Sequence, residues 1–499
     1  MIQSLVGPVC ENWDPPVRAP TCDSSRVLRT ALRDENCRVA IQSPSSIAAK
    51  LTKLADGSPF VFFRGTAAFF YANLFCYGNE VLISKDAGMI PQVVSNGDCH
   101  PENFGLMEGI NHDNLLWGVN DFDQSFHAPF TYDLTRGATG FAVACMTRHN
   151  LSEKKRKDTR EIRAVADECD SFVNDFISSY VDVVQHSDQL TLNDMFVSGS
   201  SLLHKFSMVD QLFVDTAKMS SPVAQRAWFQ KKGIDLKTEK FVPSAKLDPL
   251  PSNSIRLWQA AVDQYVFHGP KELARTGNTD PRNYFKVLDV ARKKGSGTGS
   301  VGLQRYWILV QGHTSQDPLD DRVIEFKQET DSVLERYMGL KVSTQLEGQR
   351  VAEGEQLAYP YTNLFYSWAN AMHKSFVVRG RSFYKTDVDL STLSLTSQSF
   401  GMYARACGRA LALYHMRVSC PTPECSPLSL HVDLDHDVAK NIQNYLKHVG
   451  GIREFSSNVI QFALEEAVRT VRGHSMLLSE VDYARQHKVG ICNVTLSSN

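Results

Sequence analysis

The sequence predicts an α+β protein, with a β-rich segment over residues 285–395 set between longer helical stretches. Three observations predict it. Aromatic and β-branched runs gather in this one part of the chain: Tyr306-Trp307-Ile308-Leu309-Val310, Val323-Ile324-Glu325-Phe326-Lys327 and Phe376-Val377-Val378-Arg379. Apolar residues at helical spacing lie on either side, as in Ile162, Val165, Phe172, Phe176 and Tyr180. A glycine-rich stretch, Gly295 to Gly302, opens into the first strand and not into a helix.

Taken in order, residues 1–25 hold several prolines and no periodicity, and read as an irregular arm. Residues 26–284 form part of a large helical body. Within it, Ser45 or Ser46 is placed to cap a short amphipathic helix. Phe60-Val61-Phe62-Phe63-Arg64-Gly65 leads into an aromatic helical stretch that runs through Phe75. Residues 90–95 and 115–120 read as short strands, followed by an apolar helix through Cys145. The charged run from Glu153 to Asp158 reads as a solvated turn. Residues 187–250 read as irregular and helical insertions, and 253–274 as a helix. Residues 285–395 are the small β-rich lobe, with a helix-like segment from Ser332 to Met338. Residues 396–499 turn helical again over 399–419, 434–448 and 454–475, completing the large body.

With 499 residues, 42% of them hydrophobic, there is ample material for more than one core. Charged residues make up 22% and the net charge is -2, which offers no electrostatic case for nucleic acid or an anionic membrane. The longest apolar run, Phe60 to Cys76, is broken by Arg64 and Gly65, so no membrane span is expected. Met1 to Pro20 lacks the basic start and apolar core of a secretory signal. The 11 cysteines show no repeated C-x-x-C pairs, and Cys420 and Cys425 flank too loose a loop for a zinc knuckle. Reduced thiols and a cytoplasmic location are the expectation.

The chemistry concentrates in Gly97-Asp98-Cys99-His100-Pro101-Glu102-Asn103, followed by Asn120-Asp121-Phe122-Asp123. An Asp followed five residues later by an Asn has the spacing of a phosphotransfer loop. There a carboxylate serves the attacking hydroxyl and a carboxamide oxygen serves Mg²⁺. A second acid, Asp121 or Asp123, would bridge metal and phosphates. Such Asp and Asn pairs also arise as turn formers, but the whole ordered set is harder to explain that way. Gly297-Thr298-Gly299-Ser300-Val301-Gly302 fits G-x-G-x-x-G. Because a strand follows it, it reads as a lid in a hairpin whose bare amides can close on phosphate. Lys327 ends a buried strand and needs an anionic partner, with Glu329 and Glu335 the candidates. Otherwise it lies on the solvent face of an edge strand. Arg64 either reaches the surface or faces phosphate.

Gly97-Asp98-Cys99-His100-Pro101-Glu102-Asn103, Asn120-Asp121-Phe122-Asp123 and Tyr132-Asp133-Leu134 together resemble the phosphotransferase branch of the kinase-like superfamily, which includes aminoglycoside and choline kinases. With Arg64-Gly65, the glycine loop and Lys327 to Glu329, the chain resembles more closely the family labelled domain of unknown function 2252, over roughly 40–420. The kinase-like resemblance implies a two-lobe fold. In it Asp98 is the base-like aspartate with His100 beside it, and Asn103 and Asp121 are metal ligands. Asp133 would anchor the loop, and Lys327 would bind phosphate under the lid. Ordinary kinases place the glycine loop and lysine first. Here Asp98 precedes Gly297, which implies a circularly permuted fold.

The expected activity is ATP- and Mg²⁺-dependent phosphoryl transfer to a small hydroxylated substrate. Transfer of AMP to a protein and nucleotide binding without catalysis are the alternatives. A metal-dependent hydrolase using Asp98, His100, Asp121 and Asp123 fits the residue types but leaves the glycine loop and Lys327 unused.

Overall fold

The structure, a computed structural model, describes residues 22–40, 44–83, 89–108, 115–149, 158–190, 207–270, 284–295, 297–314, 316–338, 346–359, 364–384, 386–388, 390, 397–417, 438–489 and 491–492. It is a mixed α+β fold of helices and antiparallel sheets. Most of the N-terminal arm, the charged run up to residue 157, and Cys420 with Cys425 lie outside the described residues.

The first helices are α1 (Ser24–Ala40), α2 (Pro44–Asp56), α3 (Pro59–Gly65) and α4 (Ala67–Tyr77). Helix α2 begins at Pro44, so Ser45 and Ser46 sit in its first turn and neither is the cap. Helix α3 does have a serine cap: Ser58 Oγ accepts from Val61 N at 3.2 Å, with Pro59 at the first position. Four short strands follow: β1 (Gln92–Ser95), β2 (Phe104–Glu108), β3 (Leu115–Val119) and β4 (Phe126–Pro129). β1 pairs with β4, and β2 with β3, both antiparallel. The loops between β1 and β2 and between β3 and β4 are therefore brought side by side.

Helix α5 (Phe130–Arg148) is buried from Phe130 through Met146. Helix α5 is central to this body, its buried Thr135 and Arg136 hydrogen-bonded internally, and it lies against the long C-terminal helix α15 (Ile452–His487). The predicted 160–186 helix is two helices, α6 (Thr159–Glu168) and α7 (Asp170–Gln185). Helix α13 (Ser397–Arg417) packs on α7, and α8 (Ser207–Ala217) and α14 (Val438–His448) pack against α13.

The second body is a six-stranded antiparallel sheet in the order β11-β12-β10-β9-β8-β7. Its strands are β7 (Leu247–Pro249), β8 (Val287–Lys293), β9 (Arg305–Val310), β10 (Arg322–Gln328), β11 (Ser367–Ala371) and β12 (Lys374–Gly380). Side chains alternate faces along a strand. Tyr306, Ile308, Ile324, Phe326 and Phe376 form one face, covered by Trp258, Val262 and Tyr265 of α10 (Ile255–Phe267). Trp307, Leu309 and Val323 form the other, covered by Phe229 of α9 (Pro222–Lys231), Ile234 of β5 (Ile234–Asp235) and Phe241 of β6 (Lys240–Phe241). Helices α11 (Val333–Tyr337) and α12 (Glu347–Ala358) connect the sheet to the helical body.

Among the described residues, the disulfides Cys22–Cys76 and Cys145–Cys169 overturn the expectation of reduced thiols for these four cysteines, and Cys37 is disulfide-bonded as well. Disulfides persist in oxidising compartments, so thiol usage no longer argues for the cytoplasm. No helix of the described residues is long and apolar enough to cross a membrane.

Candidate functional site

The loop after β1 hangs from the first turn of α5. Asp133, fully buried, accepts from Asn96 N at 2.6 Å and Gly97 N at 2.8 Å. His415 Nε2 lies 3.2 Å from the same carboxylate, and Tyr180 Oη bonds His415 Nδ1 at 2.8 Å. Gly97 has φ +76°, and a Cβ there would collide with the Gln124 carbonyl, so only glycine makes this turn. Tyr71 Oη donates to Gly97 O at 2.8 Å.

One turn along α5 from the anchor, Arg136 meets Asp98. Its Nε donates to Asp98 Oδ1 at 2.8 Å, and its Nη2 lies 2.7 Å from the same oxygen. The guanidinium lies over the rings of Phe63 and Phe70, at 4.2 and 5.0 Å. Burial pushes the Asp98 carboxyl up to about 7, against the opposing pull of Arg136. Glu102 N donates to His100 Nδ1 at 3.2 Å, so the neutral ring carries its proton on Nε2, 3.9 Å from Asp98 Oδ2. Burial, then Arg64 and Arg136, hold His100 well below its usual range and thus neutral. Asn103 Nδ2 donates to Asp98 O at 2.8 Å, which leaves Oδ1 as the ligand atom of that amide.

The second loop is tied to the first by Asn120 N, which donates to Asn103 O at 3.1 Å, and by Asn96 Nδ2, which donates to the Asp121 carbonyl. Arg350 of α12 braces it from behind through the carbonyls of Asp123 at 2.8 Å and Ser125 at 2.6 Å. Into this corner β10 delivers Lys327, whose side chain is 1% exposed. Its Nζ pairs with Asp123 Oδ2, with Glu329 Oε1 at 3.4 Å and with Asp121 Oδ1 at 3.7 Å. Of the two glutamates considered for it, Glu329 is the partner. Burial opposes the ammonium, but these three acids win and raise Lys327 above its ordinary value. Burial and Asp123 push Glu329 up to about 8, and burial with Asp121 pushes Asp123 up as well.

The glycine loop spans the β8–β9 hairpin. Gly297 has φ +76°. The loop is pinned to the helical body: Lys53 Nζ donates to Gly297 O at 2.8 Å and Lys50 Nζ to Gly299 O at 3.1 Å, both from α2. Arg305 Nη2 donates to Ser300 Oγ at 2.7 Å. Arg64 faces the same space and pairs with Glu102.

One cavity of about 140 Å³ joins these parts. It is lined by Arg64, Asp98, His100, Asn103, Asp121 and Asp123 from the helical body, and by Gly297, Gly299, Ser300 and Glu329 from the β-rich segment. Every sequence-derived candidate is here except Gly302, which turns the chain at φ +99° and lines no part of the cavity, and Lys327, which closes its wall through the ion pairs. Sequence reasoning missed Arg136, Asn96, Arg305, Arg350, Lys50 and Lys53. Arg136 carried a readable signal: an arginine inside an apolar helix needs a buried anion. The others act through backbone carbonyls or distant partners and carried none.

The chain is thus an α+β protein in which a buried lysine of an antiparallel sheet meets a carboxylate-rich pair of loops from a helical body. It belongs to the family described as "Uncharacterized protein conserved in bacteria (DUF2252)", whose family model matches residues 42–480. Comparison with curated proteins and with solved structures gives no match in either set.

Proposed function

We propose that this protein is an ATP- and Mg²⁺-dependent phosphotransferase of a circularly permuted, kinase-like two-lobe fold, acting on a hydroxylated acceptor. The observation that carries the reading is the meeting of Lys327 with Asp121 and Asp123 beneath a glycine hairpin, across 204 residues of chain in the case of Asp123. A hydrolase reading leaves the pinned glycine loop and the buried lysine without work.

The donor set fits a magnesium ion. Three carboxylates surround one ammonium in a buried corner, and Asp123 Oδ1 is buried without a hydrogen-bond partner. Burial and crowding of like charge lift Glu329 and Asp123, and a divalent cation held there would favour their ionised forms. Both Asp121 and Asp123 pair with Lys327, and Asp121, whose side chain is 38% exposed against 22% for Asp123, opens further into the cavity. Asp121 and Asn103 would hold the ion, phosphate oxygens completing its shell, as suits a metal that takes few protein ligands. Bound there, it would neutralise charge on the transferred phosphoryl group. Asp98, held by Arg136, orients the acceptor hydroxyl and accepts its proton. Neutral His100 stands beside that carboxylate, its Nε2 3.9 Å from Asp98 Oδ2 and beyond hydrogen-bond reach. Lys327 and the lid amides steady the phosphates.

The test is Mg²⁺-dependent ATP turnover by the purified chain, compared with Asp121→Asn. Loss of turnover in a folded Asp121→Asn protein supports the reading. Equal turnover, or no Mg²⁺-dependent binding of ATP by the parent protein, defeats it.

A further inference from the structure

We infer that this site, which rests on the phosphotransferase reading above, recognises its donor by the polyphosphate end and leaves the nucleobase outside the fold. The observation is what fills the sheet face behind Lys327.

Residues two apart on a strand share a face, so Lys327, Glu325 and Val323 stand in line along β10. Glu325 is 2% exposed and already fully engaged. It accepts from Trp307 Nε1 at 3.0 Å and Arg379 Nε at 2.8 Å, with Arg305 and Arg381 at 3.8 and 3.9 Å. Burial opposes its ionisation, but the three guanidiniums hold it well below the usual carboxylate range, so it stays charged. A flat, weakly polar ring gains nothing by displacing a buried ion network. Beyond it, Val323 and Trp307 are covered by Phe229, Ile234 and Phe241 of the insertion. The stretch of sheet next to the lysine is therefore occupied, first by charge and then by the chain's own aromatic cover.

The cavity agrees. Its 140 Å³ is about half the ~300 Å³ at which small-molecule pockets begin. Its side-chain lining is polar, made of charged, hydroxyl, amide and imidazole groups, with Ala67 and Leu303 the apolar exceptions. That suits phosphates with a divalent ion, and among the described residues it gives a base no Phe, Tyr or Trp wall to lie on. The larger cavity of about 430 Å³ at Val323 shares no lining residue with it, and Val323 lies some 13 Å along the strand from Lys327. The donor class that fits is any nucleoside triphosphate, or inorganic tripolyphosphate itself.

The experiment measures binding of Mg-ATP, Mg-GTP, Mg-CTP and Mg-tripolyphosphate to the full chain by calorimetry, with Asp121→Asn as control. Affinities within about threefold of one another, all lost in Asp121→Asn, are the expected result. ATP binding more than about tenfold tighter than GTP, CTP and tripolyphosphate overturns the inference while leaving the phosphotransferase reading standing. Equal binding of the three nucleotides with none of tripolyphosphate overturns it too, because recognition then reaches the ribose. If none of the four binds, the phosphotransferase reading fails and the inference fails with it.

Discussion

Arg136→Met removes the charge that faces Asp98 while keeping an apolar side chain of similar length between Phe63 and Phe70. Arg136 is fully buried and contacts Asp98 Oδ1 at 2.7 Å, so the variant leaves a partly buried carboxylate without its cation. An adjacent arginine lowers an aspartate by about 1–3 pKa units. Asp98 already stands at about 7 with Arg136 present, because burial outweighs the pair. Without it, the ionised fraction at pH 7 falls from about one half to between ~1/10 and ~1/1000. The sign follows: turnover that needs the carboxylate falls about 5- to 500-fold at pH 7 and recovers as pH rises. Breaking a buried pair also costs about 3–5 kcal/mol, lessened here because Asp98 can take up a proton. The assays are the pH profile of Mg-ATP turnover, the ¹³C shift of the Asp98 carboxyl against pH, and the urea midpoint at unchanged slope. An acidic limb that stays near pH 7, with the ¹³C titration unmoved, refutes the assignment of Arg136 as the group that tunes Asp98.

Asp133→Ala strands two backbone amides, at about 1–3 kcal/mol each, and should lower the urea midpoint well below that of the parent. An unchanged midpoint would show that the loop does not hang from α5. Gly408→Ala, whose Cβ would overlap the Phe176 carbonyl oxygen where α13 crosses α7, should destabilise by at least ~1–3 kcal/mol, and a neutral thermal melt would contradict that packing. Glu466, fully buried, accepts from Asn73 Nδ2 at 2.8 Å and is pushed up to about 7, first by burial. Because the folded chain binds this proton more tightly than the unfolded one, wild-type stability falls as pH rises from about 4.5 through 7. Glu466→Gln should remove on the order of 3 kcal/mol of that fall, and parallel pH–stability curves for the two proteins would reject it. Non-reducing peptide mapping should recover the Cys22–Cys76 and Cys145–Cys169 links, and free thiols at these positions in freshly isolated protein would return the chain to the reduced reading.

Local backbone requirements were legible in the chain. Aromatic and β-branched runs announced β9, β10 and β12, and the glycine stretch that opens into Arg305–Val310 was readable as a hairpin loop. Helix α12 was missed because Glu347–Ala358 has no strong apolar stripe; its stability comes from packing on β11 and β12. Strand β2 was hidden because Phe104 and Gly105 read as the tail of the polar loop. The C-terminal helix runs on to His487, well past the predicted 475, because its polar end is tied to α1 by Arg29–Glu480 and to α2 by Asp56–Arg485.

The order of residues along the chain is enough to name the candidate groups, Asp98, Asn103, Asp121, Asp123, the glycine loop and Lys327, together with family membership over residues 42–480. It is enough because turn chemistry, strand period and glycine's conformational needs are local properties of a few adjacent residues. The partners of these groups emerge from packing in three dimensions. Lys327 takes Asp123 and Glu329, Asp98 takes Arg136, α2 pins the glycine loop, and the 222–241 insertion covers the sheet beside the site. These choices join groups up to hundreds of residues apart. Each is set by which charges can be desolvated together in one packed volume, and no local pattern encodes that.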